Sequence, residues 1–286
     1  MRGQEHLNLE AWSLPNAVRF YEEERTAAAD LYPSEAAMLL PVIGRVSSVL
    51  DVGCAVGNAR SMLNTLNPAA SYVGVDVAEG MVQEAQRRHP GGTFQVIDGR
   101  TLPFEDNAFD LVFCAGVLNH TPHYLDLTAE IFRVARRFAV VDLPRLVTQP
   151  YAFELRHSSM ELKRRFETDS QGLSAQATLV PYILGNVEDV FRGLHERLGG
   201  RLAGLGCHGY YGKPHPSVTI PVESVIFTVV LLVKGRPPLR YCLTLPEDAR
   251  PSAEAALRSR GVVKVASVET LLAMTSPQGF MKKGGA

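Results

Sequence analysis

The sequence predicts an α/β fold: a mostly parallel sheet with helices on both faces, a helical segment before it and a small α/β addition after it. Three observations carry that expectation. Five β-branched runs, SSVLDVG, SYVGVDV, GTFQVID, FDLVFCAG and RFAVVDLP, succeed one another from Ser47 with helical stretches between them. That alternation gives parallel strands joined by crossover helices. Two later runs, RLAGLGCHGYYG and VESVIFTVVLLVKG, are separated only by the turn-rich KPHPS, so they pair antiparallel and complete a sheet of seven strands whose last is antiparallel. Finally, 286 residues with 46% hydrophobic and 21% charged content suit one large domain with attachments.

Taken in order, residues 1–46 read as a helical N-terminal segment. NAVRFYEEERTAAAD is rich in helix formers, and EAAMLLPVI starts an apolar-faced helix that Pro41 is expected to interrupt. Residues 47–235 carry the sheet. Within them the rhythm breaks after Pro150, where YAFELRHSSMELKRRFETD reads as an amphipathic helix and SQGLSAQATLVPYILG as a loop, an insertion over about 149–185. The helix NVEDVFRGLHERLGG then leads into the antiparallel pair. Residues 236–286 read as a strand, a helix and a strand–helix unit before a loose SPQGFMKKGGA tail, packing on the sheet edge or making a homodimer contact.

Charge and composition exclude several classes. Lys+Arg 29 against Asp+Glu 30 leaves a net charge of -1, without a global pull toward nucleic acid or an anionic bilayer. Arg133, Arg136 and Arg137 read as the solvated face of a helix. MRGQEHLNLEAW lacks a signal-peptide core, and the run from Val225 to Val233 is too short to span a bilayer, so a cytoplasmic location is the default. Cys54, Cys114, Cys207 and Cys242 are scattered without a CxxC pair, which suits reduced thiols and no metal.

The strongest local signal is VLDVGCAVGNAR over 49–60: an apolar strand, the acid Asp51 near its end, then Gly53 and Gly57 leading into a helix. Glycine lets a ligand lie against bare backbone, and the helix start adds N–H donors. A dinucleotide fingerprint needs glycines at positions one, three and six, whereas Gly53 is followed by Ala55 and Asn58 there, which disfavours a nicotinamide oxidoreductase. Asp76 ends the second strand 19 residues after Gly57, where a carboxylate can accept both hydroxyls of an adenosine ribose. The third strand ends in Asp98-Gly99, placed to meet an adenine edge.

VLDVGCAVG, GVDVAEGMV, DGRTLPFEDNAFDLV, VLNHTP and AEIFRVARR, in this order over about 48–143, resemble the class I, Rossmann-like S-adenosylmethionine-dependent methyltransferases of the ubiquinone-pathway and small-molecule group. The resemblance implies S-adenosyl-L-methionine as cofactor, S-adenosyl-L-homocysteine as product and a small-molecule acceptor, without nucleic acid or membrane. It implies that Asp51, Gly53, Cys54, Ala55 and Gly57 line the methionine part, that Asp76 holds the ribose, and that Val77 and Met81 flank the adenine. Asp98 and Gly99 then receive the adenine amino edge, and Ala115 borders the site. Ala55 stands where the family most often has glycine, and Ala78 where it has serine.

Methyl transfer asks chiefly for alignment and exclusion of water. His120 follows the fourth strand, where it is either a general base or a hydrogen-bonded structural residue, and Asn119 is placed to orient a substrate. His123 near His120 has no further ligand types beside it for a metal. Tyr21 and Arg19 belong to a helix that in similar enzymes folds over the cofactor. His208, Tyr210, Tyr211 and His215 either line or fill a pocket, and the insertion carrying Tyr151, Phe153, Arg156 and His157 caps the acceptor. The expected activity is O-, N- or C-methylation of a metabolite. A non-catalytic cofactor-binding partner subunit and an RNA or protein methyltransferase are the alternatives.

Overall fold

A computed structural model describes residues 10–23, 25–153, 158–162, 179–258 and 261–275. The N-terminal segment forms a short 3-10 turn at Glu10–Ser13, helix α1 at Pro15–Glu23 and helix α2 at Pro33–Ile43. Pro41 does not interrupt α2, which runs on to Ile43. A proline in the last turn gives up only one bond, to the carbonyl four residues back. The buried face of α2, with Met38, Leu39, Val42 and Ile43, makes that loss affordable.

The alternating strands and helices follow as expected: β1 (Ser48–Val52), α3 (Asn58–Leu66), β2 (Ser71–Asp76), α4 (Glu79–Arg88), β3 (Thr93–Val96), β4 (Phe109–Cys114), α5 (Tyr124–Val134) and β5 (Ala135–Asp142). Beyond them lie β6 (Arg145–Val147), β7 (Ser159–Glu161), β8 (Leu179–Pro181), β9 (Leu184–Asn186), α6 (Val187–Leu198), β10 (Leu202–Gly212), β11 (Val218–Thr219) and β12 (Val225–Lys234). The C-terminal part gives β13 (Arg240–Thr244), α7 (Arg250–Leu257), β14 (Val263–Lys264) and α8 (Val268–Thr275).

The seven expected strands stand in the order β3-β2-β1-β4-β5-β12-β10, and β13 and β14 continue the sheet beyond β10. Strands β1 to β5 are parallel, whereas β12 runs antiparallel to both β5 and β10. This is a Rossmann-like sheet. The chain goes one way from β1 to β2 and β3 and the other way through β4 and β5, so a crevice opens beyond the carboxyl ends of β1 and β4. One face is sealed by α5 and α6 around Phe132 and Phe191, the other by α2, α3 and α8 around Leu39, Met62 and Leu271.

The insertion differs from the expected helix. Tyr151, Ala152 and Phe153 are not helical, and Ser159–Glu161 is a strand in a small second sheet ordered β11-β7-β8. Met160 faces Val218 and Val180 there, and those strand partners outweigh the local helical pattern. Arg156, His157, residues 163–178 and the tail from 276 lie outside the described residues. The loop expected over 170–185 contributes β8 and β9 instead, and the C-terminal addition packs along the sheet edge with Leu271 and Leu272 buried.

Candidate cofactor and acceptor site

The crevice loop is held by backbone contacts. Gly53 and Cys54 both donate their N–H to the Val75 carbonyl, at 2.8 and 3.0 Å, which bends the chain over the end of β2. Gly53 has φ 80°, and a Cβ there would come within 2.1 Å of a Val117 methyl, so conformation and space both require glycine. Gly57 (φ 82°) starts α3. Between them Ala55 takes φ 46°, a left-handed conformation that the usual glycine would adopt without strain. Cys54 is at the loop by its backbone only, because its side chain turns into the cluster with Val82, Ala85 and Phe94.

Two buried carboxylates face this loop. Asp76 accepts the Ala55 N–H on one oxygen and the Ala78 N–H on the other, each at 2.9 Å. Burial raises its pKa against those bonds. Each carboxylate oxygen retains acceptor capacity for a further donor. Asp51 does not cap α3: its partner is the Tyr72 hydroxyl, which donates to it from β2. The two side chains share a face because Val49 pairs with Tyr72 and Asp51 with Gly74. Loss of solvation pushes the Asp51 pKa up to about 7, opposed by the Tyr72 bond and helped by the neighbouring Asp76 charge.

Asp98 is exposed, and its carboxylate accepts the N–H groups of Arg100 (2.8 Å) and Thr101 (2.9 Å), which hold the turn and lower its pKa. Gly99 (φ 76°) sits against Val77, where a Cβ would approach a Val77 methyl to 2.8 Å. Met81 is buried and packs with Ala17, Val56 and Ala78. Ala115 is half-buried at the end of β4.

Segment 12–21 crosses the crevice. Ser13 Oγ accepts from Gly80 N–H at 3.3 Å, Asn58 Nδ2 donates to the Tyr21 carbonyl, and the Trp12 ring meets the His120 ring edge-on at 5.1 Å. Arg88 ties the far end down by donating to the Glu22 carbonyl (3.2 Å) and Asn58 Oδ1 (2.8 Å). Tyr21 is half-buried and Arg19 exposed.

His120 and Asn119 lie beside Trp12 of this segment. His120 Nδ1 faces the Pro181 carbonyl at 2.7 Å, an acceptor only, so Nδ1 carries the hydrogen and Nε2 accepts from Asn119 Nδ2 at 2.9 Å. Desolvation lowers the His120 pKa to about 4. The ring is therefore neutral near pH 7 with both nitrogens engaged, whereas the buried Asn119 Oδ1 has no hydrogen-bond partner among the described residues.

The sequence match speaks to the same stretch. Residues 50–140 match the family model described as a methyltransferase domain. By that match this region is a methyltransferase domain. The chain is 33% identical over 122 residues to trans-aconitate 2-methyltransferase of Methylobacterium nodulans, covering 43% of this chain and 45% of that protein. It is 42% identical over 91 residues to phthiotriol/phenolphthiotriol dimycocerosates methyltransferase 1 of Mycobacterium ulcerans, covering 31% and 33% of the two chains. The matches thus span less than half the length of these relatives. A SAM-dependent methyltransferase of Thermotoga maritima overlays with a TM-score of 0.45 at 15% identity, covering 79% of this chain and 98% of that one.

The crevice of the methyltransferase domain suits a cationic cofactor that bears hydroxyls. It offers two buried carboxylates, a bare backbone at Gly53 and an apolar shelf at Val77 and Met81. Among the described residues no cluster of His, Cys, Asp and Glu could hold a metal ion, and no helix is long and apolar enough to cross a membrane.

Several residues of the site escape sequence reasoning. Tyr72 is legible only once the register of β1 on β2 is known. Trp12 lies in a segment without a motif. Asp142 and Arg145 form a buried ion pair at 2.8 Å just past β5, and the available signal was an acid and a base closing an apolar strand in VVDLPR. Of the residues expected around the last turn, Tyr210 stacks on Phe227 at 5.8 Å, Tyr211 is exposed and donates to Asp248, and His215 bonds Ser217.

Proposed function

We propose that the chain is an S-adenosylmethionine-dependent methyltransferase that methylates a small-molecule acceptor at oxygen, nitrogen or carbon. The observation that carries this reading is the pair Asp76 and Gly53. A buried acid ends β2 with acceptor capacity to spare, and beside it lies a loop whose glycine tolerates no side chain.

In this reading Asp76 accepts the ribose hydroxyls, and Asp51 and the loop from Gly53 to Gly57 face the methionine part. Val77 and Met81 enclose the adenine, and Asp98 with Gly99 borders its amino edge. When bound, the cofactor supplies an electrophilic methyl group on a sulfonium. Segment 12–21 shields the crevice from water, which favours displacement by the acceptor over hydrolysis. Asn119 Oδ1 accepts a hydrogen bond from the acceptor and so orients the nucleophile, whose proton is lost to solvent or to His120 Nε2 as the methyl is transferred. His120 holds Asn119 through Nε2, and it serves as a base only if that bond opens.

The relatives named above are methyltransferases of a carboxylic acid and of a lipid alcohol, so an acceptor with an oxygen nucleophile is the leading case. Calorimetric titration with S-adenosylmethionine and S-adenosylhomocysteine tests the reading. Micromolar binding by the wild type, lost in an Asp76→Ala variant that still melts cooperatively, is the expected result. A folded wild type that binds neither compound refutes it.

A further inference from the structure

The second half of the sheet carries an aromatic path that the cofactor does not explain. Arg145 and Val147 alternate onto one face of β6, and the pairing of Ile226 with Leu146 puts Phe227 and Val225 on that same face. Arg145 lies over the Phe227 ring at 4.5 Å, and Tyr210 stacks on the same ring at 5.8 Å. Arg145 also stands close enough to Tyr182 for the two to interact electrostatically, and the Tyr182 ring meets His120 at 5.9 Å. The row therefore runs from Val147 through Phe227, Arg145 and Tyr182 to His120 and Asn119, beside the crevice. At its outer end a cavity of about 340 Å³ opens between Val147, Gln149, Tyr211, Val222 and Glu223.

The charges along this path are spent on one another. Arg145 is paired with Asp142, whose other oxygen accepts Gly116 N–H at 3.2 Å. The buried Glu35, near enough to Asp142 to feel its charge, is paired with Arg25 at 2.6 Å. Beyond the mouth, neither a carboxylate nor an ammonium would find a counter-charge that is not already balanced within the row, and burying an unpaired ion is costly. What is uncommitted is Asn119 Oδ1 and the Tyr151 hydroxyl, together with the Nε–H of the Arg145 guanidinium, whose charge Asp142 balances; none of the three has a hydrogen-bond partner among the described residues. Around them stand Trp12, Met160, Val180, Tyr182 and Val225.

We propose that this row is the acceptor channel, with its mouth at the cavity by Val147, and that it takes an uncharged, largely apolar compound presenting a hydroxyl to Asn119. The proposal rests on the methyltransferase reading for the identity of the site, but the selection against charge follows from the two internal ion pairs alone. The hydroxyl donates to Asn119 Oδ1, and the apolar body lies along Phe227 and Tyr182 toward the mouth. Glu223 at the mouth, and Asp248 under the Tyr211 hydroxyl, add to the discrimination against anions.

Three probes of one shape but different charge test it: 1-naphthol, 1-naphthoate and 1-naphthylmethylamine at pH 7, titrated calorimetrically into the full chain with and without saturating S-adenosylhomocysteine. The expected result is binding of the naphthol at least tenfold tighter than either charged probe. In Val147→Trp, which blocks the mouth, naphthol binding falls at least tenfold while S-adenosylhomocysteine binding is unchanged. A charged probe that binds as well as the naphthol, no binding of any of the three, or a Val147→Trp variant that binds naphthol like the wild type overturns the proposal. Failure of S-adenosylhomocysteine alone to bind refutes the methyltransferase reading instead, and the preference among the three probes without it still decides the channel.

Discussion

Replacing Asp51 with asparagine separates the cost of a buried charge from the use the cofactor makes of it. Asp51 is 2% exposed, and its pKa rises from 3.8 to about 7 because burial disfavours the carboxylate. The folded protein therefore holds a proton that the unfolded chain has released between those two values. Stability falls as pH rises through that window and levels off above about 7. The full difference amounts to ~4 kcal/mol at about 1.4 kcal/mol per pH unit, of which ~2–3 kcal/mol lies between pH 5 and 8. Asp76 and Glu35 are raised by burial too and slope the same way, so the difference between wild type and variant isolates Asp51. Urea unfolding across that range should show wild-type stability declining ~2–3 kcal/mol more steeply than that of Asp51→Asn. The cationic cofactor prefers the ionised acid, so wild-type affinity for S-adenosylmethionine should tighten with rising pH up to about 7 and then level, by at most about tenfold per unit. Parallel stability curves for the two proteins, or a pH dependence of binding as steep in Asp51→Asn as in the wild type, would contradict this assignment of the proton to Asp51.

Two substitutions in the loop test its geometry from opposite sides. Gly53→Ala combines a left-handed residue, ~1–2 kcal/mol, with a clash against Val117, ~1–3 kcal/mol, so urea denaturation should show a loss of about 2–5 kcal/mol. Ala55→Gly removes the strain at φ 46° but adds chain entropy to the unfolded state, for a net gain of ~0.5–1 kcal/mol, and a loss of stability in the same assay would show that the methyl is needed for packing.

The sheet was legible because its strands are apolar runs ending in Asp76, Asp98 and Asp142 at similar heights, and parallel connections admit few alternatives. The loop around Gly53 was legible for a related reason, since spacing and the absence of side chains are written in one dimension. What was not legible depended on partners distant in the chain. Ser159–Glu161 became a strand because β8 and β11 were there to pair with it. Tyr72 reached Asp51 through register, and Trp12 met His120 across more than one hundred residues of chain. His120 illustrates the limit most plainly: its place after β4 suggested a base, and only the Pro181 carbonyl and Asn119 amide, brought up by the fold, reveal both nitrogens engaged.

A crystal structure of the chain grown with S-adenosylhomocysteine would show where the cofactor lies. The ligand should sit beyond the ends of β1 and β4, with ribose oxygens on Asp76, the amino acid part over Gly53 and the adenine between Met81 and Gly99, under segment 12–21. Ligand bound elsewhere, or a crevice that stays filled by that segment at saturating ligand, would contradict it.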